Sequence, residues 1–488
     1  MAPGAPTGRR AAWNAIALLG FRAVQFAVNL FITLALTRHL GAGSYGDYVF
    51  VLGFTGTLVV LSDFGLIKVA VREIARDPSI ESAVVGTVIG LRCGIGLALA
   101  LAAQVILVLI HSRDELRGLV LVASVWFISD ALLAIAILFQ VRIAMHVEAL
   151  MGLAGCALQG LAAIWLIGRG GGLEELVLLP AIGGFGAAMV GMYLAAVRYR
   201  LPARFDLRLI PPLAAAGLPV WTTVAFTMVN LRLDGVLLGV LATPTDVGLY
   251  GAASKPIEYV FLLSTALMNP AYPLLARWFH RDLDRFAFVY RRMVTVLAVV
   301  ALPIPVALFF LAGPIVAALF PPEFAGSASA LQLLGAAMAF TFLTAWHGFT
   351  LLAAGRQRDT VVYDGAALVA NVGLNLVLVP RMGFMGAAWA ALGTSALAVV
   401  WSTVMARRIG VSIAAGELVR ACVAAGAFGA ALGVSQAAGL PALVAAGAAL
   451  AAYVLAVLAL RIVRWREIAE LAPGARAGRP ALPVLEGV

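Results

Sequence analysis

The sequence contains little charge for its length. Charged residues occupy 12% of the 488 positions and hydrophobic residues 63%, whereas a soluble globular protein has about a quarter charged and about half apolar residues. So few charges cannot cover the surface of a soluble protein of this size, and the mean hydropathy of +1.01 agrees. We therefore expect an integral membrane protein, which excludes a soluble enzyme and a disordered regulator.

Cysteine and histidine are also scarce, and neither residue type predicts a metal site. Cys93, Cys156 and Cys422 each lie in an apolar run, and an odd count at such positions favours neither a disulfide framework nor metal ligands. The five histidines show no metal-ligand spacing, and His347, which lies in an apolar run, is expected to be a packing residue. We expect no cofactor other than a coupling ion.

Motifs for catalysis are absent from the sequence. It has no phosphate-binding glycine loop, no nucleophile motif and no large outer loop with a carboxylate pair, so we expect no enzyme activity. The net charge of +10 could indicate nucleic acid, but Lys and Arg of membrane proteins concentrate on the cytoplasmic side. We expect membrane lipids, and no nucleic acid, around this protein.

Fourteen apolar runs are long enough to cross a bilayer as helices of about 20 residues. With the N-terminus inside, twenty-five basic residues fall in inner segments and five in outer loops, which places both termini in the cytoplasm. The predicted fold class is an all-α polytopic membrane protein with about 14 transmembrane helices. The predicted spans are 13–37, 48–70, 83–110, 117–140, 147–167, 176–197, 212–241, 248–275, 293–318, 328–354, 360–379, 384–405, 418–437 and 441–460.

Two segments of the chain are similar at an offset of 205 residues. LALTRHLGAGSYGDYVF (34–50) matches LGVLATPTDVGLYGAASKPIEYVF (238–261) when Tyr45 is aligned with Tyr250. Such repeated halves are typical of transporters. We predict two pseudo-symmetric six-helix lobes at 12–200 and 212–405, a C-terminal helix pair at 406–466 and a cytoplasmic tail at 467–488.

Polar side chains form one stripe on span 1 and another on span 7. Arg22, Gln25 and Asn29 lie within about 60° of one another at 100° per residue. The stripe on span 7 consists of Thr223, Thr227, Asn230 and Asp234, of which the last three occupy the equivalent positions at the offset of 205. We interpret the two stripes as facing one central cavity; the alternative is that they hydrogen-bond neighbouring helices together.

Charged residues within the spans are candidates for function, because each costs about 2.5–3.5 kcal/mol at mid-bilayer on insertion scales. These residues are Arg22, Arg92, Arg232, Lys255, Asp63, Asp130, Asp234 and Glu258. Cations that line a cavity favour an anionic substrate. The predicted substrate-binding residues are Arg22, Gln25, Asn29, Arg92, Lys255 and Asn230.

Some of these charges have simpler interpretations. Glu258 lies one turn from Lys255 and is a candidate to neutralise it, whereas Arg22 and Arg92 have no acidic neighbour in the sequence. Asp63 and Asp130 are equally candidates for helix-packing or gating pairs. Arg232 points away from the span 7 stripe, and we expect it to reach the membrane surface or to pair structurally.

A second polar cluster lies on spans 11 and 12. Its members are Asp364, Asn371 and Asn375 on span 11 and Thr394 and Ser395 on span 12. Together with Asp234, these residues supply the hard oxygen ligands that suit a monovalent cation. We predict cation coupling through Asp234, Asn371, Asn375 and Thr394; the alternative is an amide ladder that joins spans 11 and 12.

Several segments resemble polysaccharide flippases of the Wzx type, within the multidrug/oligosaccharidyl-lipid/polysaccharide exporter superfamily. They are TRHLGAGSYGDYVF (37–50), LSDFGLIKVAVREIA (61–75), VNLRLDGVLLG (229–239), VGLYGAASKP (247–256) and NVGLNLVLVPRMGFMGAAWAALGTS (371–395). The resemblance extends over about 12–405. It implies a flippase that moves an undecaprenyl-diphosphate-linked oligosaccharide, such as an O-antigen or exopolysaccharide unit, across the bacterial inner membrane by alternating access.

The resemblance also implies roles for individual residues. The cavity cations, here Arg22, Arg92 and Lys255, would contact the diphosphate, and Na⁺ or H⁺ would act as the coupling ion near Asp234. This chain has Asn375 where relatives with a sodium site can carry an acidic residue. We expect a monomer whose partners include polysaccharide polymerase and export proteins.

Three alternative functions remain open at this point. The first is a cation-coupled small-molecule exporter of the same superfamily, which would need Asp234 but would tolerate neutral residues at positions 22 and 92. The second is a lipid II flippase. The third is a membrane glycan polymerase or ligase, which would need a sizeable outer loop.

Overall fold

The computed structural model describes residues 8–110, 114–142, 144–199 and 204–462. Regular structure in these ranges is helical and includes no strand, which confirms the predicted all-α fold class. The predicted tail at 467–488 lies outside the described residues.

The first nine helices run from Gly8 to Leu194. They are α1 (Gly8–Ser62), α2 (Leu66–Arg76), α3 (Glu81–Leu109), α4 (Asp114–Ala123), α5 (Val125–Leu132), α6 (Ile137–Val141), α7 (Met145–Gly168), α8 (Leu173–Leu176) and α9 (Leu179–Leu194). A kink divides α1 at Gly41, where φ is 71° and ψ is 171°. This backbone conformation is essentially restricted to glycine, because a Cβ atom would clash.

The next nine helices begin after a short connection. They are α10 (Ile210–Leu241), α11 (Pro244–Phe279), α12 (Leu283–Ala301), α13 (Pro303–Leu319), α14 (Ser327–Ala353), α15 (Gln357–Met382), α16 (Phe384–Arg408), α17 (Ala415–Ala437) and α18 (Ala442–Ala459). Pro244 begins α11, where its missing N–H is not needed. The Asp282 carboxylate accepts the backbone N–H of Arg285 at 3.0 Å and caps α12.

Eleven helical segments of the described chain are long and apolar enough to cross a membrane. The segment Val24–Arg76 alone has 53 residues, which is long enough for two spans of about 20 residues each. The chain is therefore a multi-pass membrane protein. The count of fourteen spans and the cytoplasmic location of both termini stay predictions.

By its internal contacts the chain divides into two compact units. The first comprises Met1–Tyr259, Gly313–Leu334 and Asp364–Thr394, and the second Val260–Ala312, Gly335–Tyr363 and Ser395–Val488. These units do not follow the predicted lobes at 12–200 and 212–405, so the lobes stay a prediction.

The two repeated segments contact each other within the first unit. A Cβ atom at Gly46 would lie 1.7 Å from the carbonyl oxygen of Pro244, and one at Gly248 would lie 2.1 Å from that of Ala42. Backbone therefore packs directly on backbone between 42–46 and 244–248, a pair of segments that we call the glycine contact. Only residues without a side chain at positions 46 and 248 permit this distance.

Connections that the predicted topology places on the outer side contact one another in the first unit. His39 Nε2 lies 2.9 Å from the carbonyl oxygen of Gly171. The Asp246 carboxylate accepts the backbone N–H of Phe384 at 3.2 Å. These four residues belong to four different predicted outer connections or their edges, and the alternation of the spans stays a prediction.

Predicted inner connections meet in the same way. The backbone N–H of Arg204 donates to the carbonyl oxygen of Ser82 at 3.2 Å. The backbone N–H of Asp206 donates to the Thr87 hydroxyl at 3.0 Å. The connection before α10 is thus fastened to the first turns of α3.

The C-terminal helix pair, α17 and α18, is fastened to α12 within the second unit. Tyr453 donates its hydroxyl proton to the carbonyl oxygen of Val299 at 2.5 Å. Arg292, which is 4% exposed, donates to the carbonyl oxygen of Ile462 at 2.9 Å.

His347 lies in a buried hydrogen-bonded group of the second unit. Its Nε2 lies 2.8 Å from the hydroxyl of Tyr290, and its Nδ1 lies 2.7 Å from the hydroxyl of Ser402. All three residues are fully buried. The interpretation of His347 as a packing residue is confirmed.

Candidate functional site

A buried polar cluster surrounds Asp234 on α10. Asp234 Oδ1 accepts hydrogen bonds from the side-chain amides of Asn371 at 2.8 Å and Asn375 at 2.9 Å, both on α15. Its Oδ2 accepts the hydroxyl proton of Tyr250 from α11 at 3.2 Å. The structure therefore brings Asp234, Asn371 and Asn375 together, as the sequence predicts.

Thr394 of α16 lies at the edge of the same cluster. The Asn371 amide nitrogen is 3.5 Å from the Thr394 hydroxyl oxygen, and both residues are buried. Asp364 lies two turns before Asn371 on α15 and makes no hydrogen bond to the cluster in the described part of the chain. Tyr250 is the member that sequence reasoning missed, although it belongs to the repeated Tyr-Gly motif.

The donor set fits a monovalent cation. It combines one carboxylate with two amides and a hydroxyl, all hard oxygen ligands, and Asn375 Oδ1 is buried without a hydrogen-bond partner among the described residues. The described residues of the chain contain no group of three or more His, Cys, Asp or Glu side chains that could hold a metal ion. For a cation to bind, the two amides must rotate so that their oxygens replace the N–H groups that now face Asp234.

Arg92 of α3, which has no acidic neighbour in the sequence, is paired in the structure with Asp130 and Asp63, two residues that the sequence marks as candidates for helix-packing pairs. Its Nη2 donates to Asp130 Oδ2 at 2.6 Å, and its Nε lies 3.9 Å from Asp63 Oδ1. The Arg92 side chain is 4% exposed. Because both carboxylates are distant in sequence, only helix packing places them beside the guanidinium, whose charge they balance.

Lys255 of α11 is also neutralised by an acidic neighbour. Its Nζ lies 3.1 Å from both carboxylate oxygens of Glu258, one turn along the helix. The two side chains are 32% and 56% exposed. Of the alternatives for Glu258, the structure favours the neutralising role.

The span 1 stripe is described only in part. The Asn29 side-chain amide donates to the Gln25 carbonyl oxygen of its own helix at 2.9 Å. The side chains of Arg22 and Asn230 lie outside the described residues. The central cavity therefore stays a prediction.

A family model described as "Polysaccharide biosynthesis protein" matches residues 35–329, which is more than half of the chain. No curated protein is similar enough to this sequence to count as a match.

Several solved structures are similar to this chain. The lipid II flippase MurJ, in an inward closed conformation, is 14% identical, with 92% of this chain and 98% of that chain covered and a TM-score of 0.76. An inward-facing multidrug resistance MATE family transporter of the MOP superfamily is 14% identical, with 79% and 95% covered and a TM-score of 0.65. A MOP superfamily transporter from Pyrococcus furiosus is 15% identical, with 81% and 95% covered and a TM-score of 0.55. At this identity the likeness shows a shared fold.

Proposed function

The chain belongs to the polysaccharide biosynthesis protein family, and from that premise we propose that it is a flippase for lipid-linked oligosaccharide. Its substrate would be a surface polysaccharide unit attached to undecaprenyl diphosphate, and its membrane the bacterial inner membrane. The observation that carries the proposal is the family match over most of a chain that has the fold of MurJ and MATE transporters.

The chemistry of such a substrate sets what the protein must provide. The diphosphate needs positive charge, the sugars need water, and the polyprenyl chain stays in lipid. Rocking of the predicted lobes at 12–200 and 212–405 would expose the headgroup to one side and then the other. No bond is made or broken, so this mechanism needs no catalytic residue.

The ion pairs of Arg92 and Lys255 change which residues we propose as contacts of the headgroup. Arg22, Gln25, Asn29 and Asn230 stay proposed contacts of the headgroup. Arg92 is assigned instead to a structural pair, because a buried guanidinium bound to a carboxylate has little charge to offer a ligand. Polymerase and export proteins would receive the translocated unit, and the protein is proposed to act as a monomer.

The Asp234 cluster is proposed to couple transport to an ion gradient. A cation or a proton at Asp234 would neutralise the carboxylate and change the hydrogen bonds that join α10 to α15 and α11. Na⁺ and H⁺ both fit the donor set, because Asp234 supplies one negative charge and its neighbours are neutral. Binding of the ion at Asp234 from one side of the membrane would then bias which conformation the protein adopts.

The test is the amount of lipid-linked oligosaccharide in cells that lack this gene. We expect the diphosphate-linked glycan to accumulate in the deletion strain, to clear with the wild-type gene, and to persist with Asp234→Ala. Normal surface glycan without accumulation would contradict the proposal and favour the small-molecule exporter. Accumulation of the peptidoglycan precursor, with lysis, would contradict it in favour of a lipid II flippase.

A further inference from the structure

The connection between α11 and α12 is rich in exposed arginine. Residues 277–291 contain four arginines and two aspartates, and all four arginine side chains are exposed. The connection lies between the predicted spans 248–275 and 293–318, on the predicted inner side of the membrane. Its first nine residues, 277–285, which we call the arginine turn, have a tryptophan at their centre.

Two guanidinium groups lie over the indole ring of this tryptophan, Trp278. The guanidinium carbon of Arg277 is 5.1 Å from the ring centroid, and that of Arg285 is 4.7 Å from it. Attraction between a cation and the face of an aromatic ring contributes about 0.5–1 kcal/mol at an exposed site. The ring therefore holds two positive charges close together, although these charges repel each other.

The backbone of the arginine turn is closed by hydrogen bonds. The Trp278 carbonyl oxygen accepts the backbone N–H of Arg281 at 3.0 Å and that of Asp282 at 2.9 Å. The ring of Phe279 packs on that of Phe286, a buried residue of α12, with 5.1 Å between the ring centroids. Because these contacts fix the connection, a ligand does not have to order it on binding.

The two charges over Trp278 are only partly balanced. Arg277 forms no ion pair with any acidic residue that the structure describes. The Nε of Arg285 lies 3.2 Å from Asp282 Oδ2, and the two side chains are 46% and 37% exposed. An exposed pair of this kind contributes at most about 1 kcal/mol, so an anion that contacts both guanidiniums can replace Asp282.

Another arginine–tryptophan contact of the described chain provides a comparison. The guanidinium carbon of Arg169 lies 4.1 Å from the ring centroid of Trp165, and Arg169 Nη2 lies 2.7 Å from Glu175 Oε1. One guanidinium over that ring thus has one carboxylate. The arginine turn has two guanidiniums over one ring and one carboxylate in contact with them, which leaves a positive charge for a ligand.

We propose that the arginine turn binds the phosphate of an anionic phospholipid in the adjoining membrane leaflet. Guanidinium groups present paired N–H donors that match phosphate oxygens. Tryptophan is typical of the headgroup region of a bilayer, and Leu283, in the first turn of α12, is an apolar side chain with 62% exposure. Attraction to an anionic leaflet contributes about 1 kcal/mol for each arginine near its surface.

The location of the arginine turn favours a lipid over a soluble anion. Leu283 begins the apolar helical segment Leu283–Leu319, which is long enough to cross a membrane, so the turn lies where that segment meets the membrane surface. The bilayer holds the phosphate of a phospholipid at this depth, whereas a free phosphate stays in water. The inference does not rest on the proposed function, because its ligand is a lipid of the bilayer and not the transported molecule.

Titration of the purified full-length protein in detergent with brominated phosphatidylglycerol tests the inference. Bromine on the acyl chains quenches nearby tryptophans, and the difference between wild type and Trp278→Phe gives the signal of Trp278. Brominated phosphatidylcholine, which has the same chains and no net charge, is the comparison lipid. We expect phosphatidylglycerol to bind with a Kd about fivefold lower than that of phosphatidylcholine, which corresponds to about 1 kcal/mol.

Removal of both guanidiniums should abolish this preference. We expect Arg277→Gln combined with Arg285→Gln to weaken binding of phosphatidylglycerol about tenfold and to leave binding of phosphatidylcholine unchanged. Arg169→Gln is the matched control, since it removes an arginine that also lies over a tryptophan but is balanced by a carboxylate, and it should match wild type. Equal Kd values of the two lipids for the wild-type protein would overturn the inference, because they would report contact with the acyl chains alone.

Asp282→Asn keeps the test decisive if the double variant does not fold. This change removes the carboxylate that competes for Arg285, and asparagine caps a helix as well as aspartate does. We expect binding of phosphatidylglycerol to become about twofold tighter, within the range of one exposed ion pair, and misfolding cannot produce tighter binding. An unchanged Kd in both the double variant and Asp282→Asn would overturn the inference.

Inorganic phosphate is the probe for a soluble ligand. When it is added against chloride at equal ionic strength, so that screening is the same, we expect it not to displace phosphatidylglycerol. Displacement that depends on Arg277 and Arg285 would overturn the assignment to a lipid and would indicate free phosphate as the ligand.

Discussion

Asp130 is the residue on which the buried charge of Arg92 chiefly depends. The contact from Arg92 to Asp130 is 2.6 Å and that to Asp63 is 3.9 Å. A charge left without its close partner in an apolar interior loses far more free energy than an exposed pair contributes. The two carboxylates should therefore contribute unequally to stability.

We expect Asp130→Asn to lower the free energy of unfolding by about 3 kcal/mol, the lower end for a broken buried pair. Asp63→Asn should cost less than about 1 kcal/mol, because its contact is longer and its side chain more exposed. Thermal unfolding in detergent measures both, with Asp114→Asn, which removes an exposed partner of Arg117, as control. Equal losses for Asp63→Asn and Asp130→Asn would show that the shorter contact does not dominate.

Asn375 is a neutral member of the proposed cation site, at a position where a carboxylate would add a second negative charge. Its Oδ1 lacks a partner among the described residues, and Asp234 supplies the cluster's charge. We expect Asn375→Asp to raise sodium affinity at least tenfold, since a second carboxylate strengthens the attraction at short range. Sodium-dependent thermal shifts measure the affinity, with potassium as the ion control.

A charge-exchange variant is the matched control for that prediction. Asp234→Asn combined with Asn375→Asp keeps one negative charge but moves it to α15. If Asn375→Asp binds sodium no better than this double variant or wild type, net charge does not limit the site, and proton coupling becomes the better explanation.

At the scale of helices, the glycine contact joins α1 to α11 through their backbones. The oxygen of Pro244 lies where a Cβ atom at residue 46 would be, and a backbone oxygen cannot rotate away as a side chain does. Filling this space must push the two helices apart. The effect should be confined to positions where backbone meets backbone.

We expect Gly46→Ala to destabilise the protein by about 3 kcal/mol, the upper end for overpacking, and to impair clearance of lipid-linked glycan. Gly43→Ala is the matched control, since its Cβ would lie 4.0 Å from the Thr245 hydroxyl, an ordinary contact. Thermal midpoints and complementation of the deletion strain are measured together. A Gly46→Ala protein as stable as Gly43→Ala would contradict the close approach.

At the scale of the whole molecule, the predicted topology can be tested by fusion reporters. We expect alkaline phosphatase, which is active only outside the cytoplasm, to be active when fused after Gly171 and inactive after Asp206. A fluorescent protein at the C-terminus should fluoresce, because it folds in the cytoplasm. The opposite pattern at any of these positions would contradict an even number of spans with both termini inside.

Much of the site could be predicted from sequence because helix periodicity places nearby residues on one face. Asn371 and Asn375 are four residues apart and meet, as the period requires. The partner of Arg92 could not be predicted, since Asp63 and Asp130 lie on other elements and no local pattern links them to α3. Tyr250 was missed for the same reason, because its hydroxyl reaches Asp234 across the turn between α10 and α11.

The sequence alone predicts a helical membrane protein, because its apolar runs of about 20 residues are long enough to cross the bilayer as helices, which satisfy their own backbone hydrogen bonds. The sequence also shows which charged residues lie within predicted spans, where the free-energy cost of each charge calls for a structural or functional explanation. Helix packing sets which of those charges have a partner: within the described part of the chain, Arg92 and Lys255 are paired, and Arg232 is not. The free energy of a charge depends on the groups within a few ångströms, and for Arg92 those groups are Asp63 and Asp130, which are distant in sequence.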